Sequence, residues 1–189
     1  MRPYPCEAGA ALLEDVGVSA LSRINDLSAE AAEAELMSCC ASPTWARAVA
    51  AARPYPDVAA VTAAGAAALA RLPWSQVTLA LGAHPKIGAR PLGDRRDAAW
   101  SRREQAGVDR DDERTLAALA EANRAYEERF GYVLLIFATG KSGVELLDIA
   151  RARLGNDEAT EQQVVRAELG KIVALRLEKL LGVGEAVTR

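Results

Sequence analysis

The stretch LAALAEANRAYEERFGYVLLIFATGKS, residues 116–142, decides the fold class of this chain. Its first half repeats apolar residues at helical spacing, which predicts a long helix from a cap at Asp111 to a stop at Gly131. The following YVLLIFA, residues 132–138, is apolar throughout, so periodicity alone does not distinguish a buried strand from a buried helix or extended segment. Because the chain offers no second strand to pair with it, we interpret it as a buried connector and predict an all-α fold.

Helix signals continue on both sides of this stretch. Serine, aspartate or asparagine caps and favourable prolines mark most of the starts, and glycines or prolines mark several of the ends. They predict helices over about residues 28–40, 42–54, 57–71, 73–82, 98–106, 111–130, 142–154 and 156–181. We therefore predict a single compact multi-helix domain over residues 22–182, with an N-terminal extension at 1–21 and a C-terminal tail at 183–189.

Composition narrows the class of protein. A length of 189 residues suffices to bury one core, and the low aromatic content of 5% leaves few large strand-forming side chains. The formal charge of −3 argues against a nucleic-acid partner. No stretch approaches the roughly 20 apolar residues of a membrane span, and the N-terminus lacks a signal-peptide core. We expect a cytoplasmic protein with no membrane partner, whose three cysteines are reduced thiols.

The same residue counts bear on metals and cofactors. The chain has one histidine and no CxxC motif, which leaves no zinc ligand set. The acidic run from Asp109 to Glu113 is interpreted as a helix start and not as a magnesium site. We therefore predict an enzyme that works with ordinary side chains and uses neither a metal nor an organic cofactor.

The single histidine, His84, lies in AHPKIGARPLGD, residues 83–94, a loop rich in glycine and proline. Pro85 favours an extended backbone at His84, and the loop lies between two predicted helices. Histidine titrates near neutrality, which suits it to moving a proton. The alternative is that His84 is structural or merely exposed. We take His84 as the candidate catalytic residue.

Two helical segments carry further candidates. Ser101, Glu104 and Gln105 fall at i, i+3 and i+4, so they share one helix face and offer a hydroxyl, a carboxylate and an amide to a small ligand. The alternative is a solvated face. Arg176 interrupts an apolar stripe of the last helix, so it points inward and needs an anion. That anion is either a ligand group or an internal carboxylate such as Glu128 or Glu104.

The segment ATGKS, residues 138–142, superficially resembles a nucleotide-binding loop. A P-loop needs a glycine five residues before its second glycine, and Leu135 stands there. ATP binding is therefore excluded as an interpretation of this segment. Gly140 and Ser142 nevertheless open a helix, and we expect free backbone N–H groups there to hold carbonyl or anionic groups.

Taken together, these motifs resemble those of the 2-oxo-4-hydroxy-4-carboxy-5-ureidoimidazoline (OHCU) decarboxylase family of urate degradation. The likeness covers roughly residues 22–182 and rests on HPKIG at 84–88, SRREQAG at 101–107, NRAYEERFGYVLLIFATGKS at 123–142 and KIVALRLEKL at 171–180. INDLSAEAAEAEL and SPTWARAVAAARPY also match. Many members have an HPDLAG-like loop, whereas this chain has HPKIGAR, which leaves the outer contacts of the loop open.

The resemblance implies an all-α, cofactor-free carboxy-lyase that forms a homodimer and acts on a small ureide. It implies that His84 is the catalytic proton donor. It further implies that the substrate is contacted by Pro85, by Ser101, Glu104 and Gln105, and by the backbone of Ile136, Phe137, Ala138, Thr139 and Gly140.

From the chemistry we hypothesise that Glu104 assists catalysis by holding His84 and that Arg176 binds an anionic substrate group. Two rival functions stay open at this point. One is a non-catalytic helical ligand-binding module, which predicts that His84 and Glu104 do not share a pocket. The other is a lyase or hydrolase that acts on a related ureide.

Overall fold

Helices are the only regular elements within residues 20–88, 96–106 and 113–183, the part of the chain that this computed structural model describes. Residues 20–26 are helical. The helices that follow are α1 Ala29–Leu36, α2 Pro43–Ala51, α3 Val58–Ala70, α4 Trp74–Leu81, α5 Arg96–Glu104, α6 Glu113–Phe130, α7 Gly143–Arg153 and α8 Glu158–Leu180. The prediction of an all-α fold is confirmed. Across the same residues, no helix is long and apolar enough to cross a bilayer.

The helix starts follow the predicted caps. The side chains of Ser28, Ser42, Asp57 and Ser142 each accept a backbone N–H in the first turn of their helices. Pro43 occupies the first turn of α2, where its missing N–H costs no helical hydrogen bond. The predicted cap at Asp111 lies outside the described residues.

Two helices end earlier than predicted. Helix α1 stops at Leu36 and not near Cys40, because residues 37–39 form a turn in which the Ser38 hydroxyl donates to the Glu35 carbonyl at 2.7 Å. Helix α2 stops at Ala51, before the predicted end at Pro54, since a residue preceding proline is disfavoured from helical geometry.

The described residues divide into two units by their packing: unit 1 comprises residues 20–71 and 173–183, and unit 2 comprises the described residues between 72 and 172. In unit 1 the fully buried Trp45 donates its indole N–H to the carbonyl of Gly65 in α3 at 2.9 Å. A Cβ atom on Gly65 would lie 2.8 Å from Leu177 Cδ1, so this close approach favours glycine there. The predicted boundaries at residues 21/22 and 182/183 stay a prediction.

Unit 2 is built around the packing of α6 against α7. Leu119 and Tyr126 of α6 and Leu146 of α7 are fully buried in one apolar cluster. Leu134 and Ile136, from the apolar stretch after α6, join the same cluster. Residues 133–138 have no regular secondary structure, as the interpretation of a buried connector predicted.

Charged side chains satisfy the backbone of this connector. Arg153 Nη1 donates to the Leu135 carbonyl at 2.6 Å. The Phe137 N–H donates to Glu168 Oε2 at 2.7 Å, and the Phe137 carbonyl accepts from Lys141 Nζ at 2.7 Å. A buried extended segment needs such partners because its peptide groups have lost water. The connector is thus held in place without a neighbouring strand.

Candidate active site

A cleft with about 320 Å³ of empty volume, including space open to solvent, lies in unit 2. Three chain segments and one residue of α8 form its lining: His84, Pro85 and Ile87; Ser101, Glu104 and Gln105; Leu135, Ile136, Phe137 and Ala138; and Ile172. The structure therefore brings together most of the site residues predicted from the sequence.

The loop that carries His84 is anchored to helix α6. The buried Asn123 donates its side-chain N–H to the Ile87 carbonyl at 2.8 Å. One residue earlier, Lys86 Nζ lies 2.8 Å from Glu127 Oε2. His84 is half-buried, and two residues that follow it closely, Lys86 and Ile87, contact helix α6. These contacts restrict the loop around His84.

The same loop is also tied to the end of α5. The Gly88 N–H donates to Gln105 Oε1 at 2.9 Å, and Gly88 has a φ of 79°, which a glycine adopts without strain. This contact fixes the orientation of the Gln105 amide, whose Nε2 remains as its donor group. Gln105 therefore helps to hold the loop while it lines the cleft.

Helix α5 contributes the polar face of the cleft. Ser101 and Glu104 are only 4% and 8% exposed, so the alternative of a solvated face does not hold for these two residues. Among the residues that line the cleft, Glu104 provides a carboxylate and His84 provides an imidazole. The cleft thus contains an imidazole and a carboxylate, two types of side chain that can transfer protons.

The connector forms an apolar wall of the cleft. Ile136 and Ala138 are buried and Phe137 is half-buried, whereas Thr139 and Gly140 are exposed and lie outside the cleft lining. The Phe137 N–H is already donated to Glu168. Of the predicted contact residues 136–140, the structure places 136–138 in the cleft lining, and the predicted backbone contacts to substrate stay a prediction.

Free backbone N–H groups were predicted at the N-terminus of α7, but two of the N–H groups at this helix start are used within the chain. The Ser142 N–H donates to Glu145 Oε2 at 2.8 Å, and the Glu145 N–H donates to Ser142 Oγ at 3.3 Å. This reciprocal pair is a capping box. The hydrogen bonds that the Glu145 carboxylate accepts from the Ser142 N–H and from the Ser142 hydroxyl lower the pKa of Glu145. The capping box thus uses two of the N–H groups at this helix start, and the expectation of a carbonyl or anion site there stays a prediction.

Arg176 points inward, as its place in the apolar stripe predicted. It is 4% exposed and belongs to unit 1. Burial raises the pKa of the Cys40 thiol to about 12, and the nearby Arg176 charge acts in the opposite direction. Arg176 is not among the residues that line the cleft, so its role in substrate binding stays a prediction. Glu128, one of its suggested partners, is exposed.

A second buried polar group in unit 2 was missed by the sequence analysis. Arg153 Nε donates to Glu161 Oε1 at 2.8 Å, the Tyr126 hydroxyl donates to the same oxygen, and Asn156 Nδ2 donates to Glu161 Oε2 at 2.7 Å. Burial raises the pKa of Tyr126, and its hydrogen bond to Glu161 raises it further. Like Arg176, Arg153 and Glu161 stand at helical spacing from buried apolar residues, and that signal could have identified them.

Three lining residues were also missed. Ile87, Leu135 and Ile172 are apolar and buried, and nothing in their sequence context distinguishes them from ordinary core residues. Among the described residues, no group of three or more His, Cys, Asp or Glu side chains is placed to hold a metal ion.

Comparisons with known proteins agree on one family. A 2-oxo-4-hydroxy-4-carboxy-5-ureidoimidazoline decarboxylase of Amia calva is 36% identical over 100 residues, covering 52% of this chain and 57% of the relative. The "Uric acid degradation bifunctional protein TTL" of Arabidopsis thaliana is 27% identical over 155 residues, covering 80% of this chain and 48% of the relative. The chain thus spans about half the length of these curated relatives.

Solved structures share the fold. An OHCU decarboxylase crystallised in the presence of (S)-allantoin superposes with a TM-score of 0.69 at 24% identity, covering 78% of this chain and 96% of that one. An (S)-allantoin synthase superposes with a TM-score of 0.63 at 16% identity, covering 85% and 53%. The sequence model of the OHCU decarboxylase family matches residues 25–178, which include every residue that lines the cleft. The chain belongs to the OHCU decarboxylase family.

Proposed function

We propose that this protein decarboxylates OHCU to (S)-allantoin and CO₂ in urate degradation. One observation carries the proposal: His84, Ser101, Glu104 and Gln105 converge on one small cleft within the segment that matches the family. The names of the relatives in Amia calva and Arabidopsis thaliana, which refer to OHCU and to uric acid, support the same substrate.

The chemistry explains why side chains suffice. The carboxylate of OHCU sits on a ring carbon that bears a hydroxyl group and adjoins a C=N bond. When the C–CO₂ bond breaks, its electron pair moves toward the C=N bond, whose nitrogen accepts the charge. The substrate thus contains its own electron sink, and the proposal includes no metal or organic cofactor. What the protein supplies is orientation and proton transfer to one face of the ring.

His84 is the proposed proton donor, and Glu104 holds His84 and the substrate hydroxyl in place. Histidine suits this role because its charge changes near neutral pH. Ser101 and Gln105 bind ring or ureido amides, and the contact between Gln105 and Gly88 supports a fixed orientation for that amide. Delivery of the proton to a single face is what makes the product one enantiomer.

The remaining contacts complete the proposed site. Pro85 and residues 136–138 enclose the substrate ring, since they form much of the apolar lining. The proposal also includes the exposed Thr139 and Gly140, which follow this wall in the chain and would extend the contact with the substrate. The proposal also includes Arg176 as the residue that neutralises an anionic group of the substrate.

The test is to generate OHCU in situ from urate, add the protein and follow circular dichroism. Prompt appearance of the (S)-allantoin signal is the expected result. Slow formation of racemic allantoin at the rate without protein would contradict the proposal. His84→Ala serves as the matched control, because it removes the proton donor and leaves the remainder of the cleft.

The same assay distinguishes the proposed function from the two rival functions. A non-catalytic binding module predicted that His84 and Glu104 do not share a pocket, and their common place in the cleft counts against it. A lyase or hydrolase acting on a related ureide would keep the cleft but leave OHCU untouched. Turnover of OHCU therefore distinguishes the proposed function from both.

The proposal also covers the oligomeric state and the cellular compartment of the protein. The resemblance to the family supports a homodimer, and a mass measured in solution at twice the chain mass of 20.1 kDa is the expected result. We place the protein in the cytoplasm, where fractionation of cells that express it should recover it.

A further inference from the structure

Phe137, in the middle of the cleft wall, is held at both of its backbone groups by charged side chains. Its N–H donates to Glu168 Oε2 at 2.7 Å, and its carbonyl accepts from Lys141 Nζ at 2.7 Å. The Lys141 ammonium also lies 5.5 Å from the centre of the Phe137 ring. In a sheet, a neighbouring strand would satisfy these groups, whereas here their geometry depends on two side chains.

Glu168 is itself fixed on helix α8. Its side chain is 13% exposed, and its other oxygen, Oε1, accepts from Lys171 Nζ at 2.5 Å. Burial alone would raise the pKa of Glu168, but the hydrogen bonds from Lys171 and from the Phe137 N–H lower it. Glu168 is therefore an ionised acceptor at neutral pH, and hydrogen bonds to an ionised acceptor are stronger than those between neutral groups.

We infer that Glu168 is a positioning residue for the substrate cleft, which it serves by fixing the wall formed by residues 136–138. Glu168 does not line the cleft, whereas Ile136, Phe137 and Ala138 do. The Phe137 N–H has Glu168 as its acceptor, so removal of the carboxylate frees the peptide to turn and moves the wall. The inference rests on the proposed function, since the wall matters only if the cleft binds the substrate.

The kinetic test compares Glu168→Ala with Glu168→Gln in OHCU turnover. An apolar wall contacts the substrate equally in the ground and transition states, so its displacement raises KM and leaves kcat unchanged. For Glu168→Ala we expect a KM about 10-fold higher, with kcat within about 2-fold of the wild-type value. Glu168→Gln retains an oxygen acceptor for the Phe137 N–H, although a neutral and weaker one, and should raise KM less than Glu168→Ala does.

Glu158→Ala is the matched control, because it removes an exposed carboxylate from the same helix. It should leave KM unchanged. An unchanged KM for Glu168→Ala would overturn the inference. A decrease in kcat without a change in KM would also overturn it, because a smaller fraction of folded protein produces the same result. An equal rise in KM for Glu168→Gln and Glu168→Ala would also overturn the inference. The rise would then follow from loss of the negative charge and not from loss of the oxygen acceptor for the Phe137 N–H.

Hydrogen exchange at the Phe137 amide provides a readout that does not need turnover. We expect slow exchange in the wild type and Glu168→Gln, and fast exchange in Glu168→Ala. Equal protection in all three proteins would overturn the inference even if the enzyme is active. Absence of OHCU turnover by the wild type would instead contradict the proposed function, and the exchange data would still decide whether Glu168 holds this wall.

Discussion

Two polar groups in unit 2 are buried to a similar degree but differ in their surroundings. Arg153 and Glu161 are 6% and 0% exposed, and both oxygens of Glu161 receive hydrogen bonds from protein groups. Ser101 and Glu104 are 4% and 8% exposed, yet they face a cleft together with His84. The first group connects parts of the fold, while the second is available to a small ligand.

The comparison shows that burial of charge does not by itself mark an active site. A buried ion pair is costly to break because the charge left behind has neither water nor a partner. A polar group beside open space can instead exchange its present contacts for those of a substrate. We therefore expect substitutions in the first group to change stability and substitutions in the second to change turnover.

The largest effect is expected at His84. His84→Ala should lower kcat by about 10²–10⁴-fold, the usual contribution of general acid–base catalysis. Glu104→Ala should reduce kcat in the same direction. The measurement is OHCU turnover by circular dichroism, with urea unfolding as a control that should show little change. Retention of the wild-type kcat by either variant would remove that residue from the catalytic assignment.

The next largest effect is expected in the buried ion pair. Glu161→Ala should lower the free energy of unfolding by about 3–5 kcal/mol, because it leaves Arg153 buried without its carboxylate. Urea denaturation measures this, with Glu158→Ala as the exposed control on the same helix. The double substitution Arg153→Met with Glu161→Leu should regain part of the loss. If Glu161→Ala and Glu158→Ala had the same free energy of unfolding, a distinct structural role for Glu161 would be contradicted.

Arg176, which is buried in unit 1, can be tested for a role in substrate binding or in stability. If it binds an anionic group of the substrate, Arg176→Ala should raise KM by about 10- to 100-fold, as expected for a lost hydrogen bond to a charged group. Arg176→Lys keeps the charge and serves as the comparison. A near-normal KM together with lower stability would place Arg176 among the residues that hold the fold.

Alkaline pH provides a further way to test the buried group. The pKa of Tyr126 is raised in the folded protein above its ordinary value of 10.0, so its stabilising contribution is present below pH 10 and is lost as the pH rises further. Each pH unit above 10 should cost about 1.4 kcal/mol for this residue. Cys40 and Tyr55 shift in the same direction. The slope should therefore become shallower, not vanish, in Tyr126→Phe, and an unchanged slope would refute the assignment.

The smallest effect is expected at the start of α7. Ser142→Ala removes the cap of that helix and should lower the free energy of unfolding by about 1 kcal/mol. KM for OHCU should not change, since the capping box satisfies this helix start within the chain. A large rise in KM would show that the substrate reaches these N–H groups after all.

Sequence reasoning predicted the helices well because their signals are local. The caps at Ser28, Ser42, Asp57 and Ser142 each act within one turn, and the structure places all four as expected. Helix ends were less accurate. At α1 the Ser38 hydroxyl competes for a backbone carbonyl, and such a contact cannot be read from periodicity.

The candidate site was only partly predictable for a different reason. His84, Glu104 and Gln105 could be chosen by residue type and motif, and the structure brings them to one cleft. Ile172 looked like any core residue, although it also lines the cleft. The Ser142 N–H, one of the groups expected to be free, is instead donated to Glu145. Side-chain partners of this kind depend on conformation as well as on spacing.

The sequence by itself therefore determined the all-α fold, the helix starts and the chemical types available to the site. Only the tertiary structure decided that YVLLIFA is held by Arg153, Glu168 and Lys141 and that one buried carboxylate faces a cleft while another is enclosed. The physical reason is the range of the interactions. Helix caps and periodicity act over a few residues, whereas the Phe137 N–H meets a carboxylate 31 residues away along the chain.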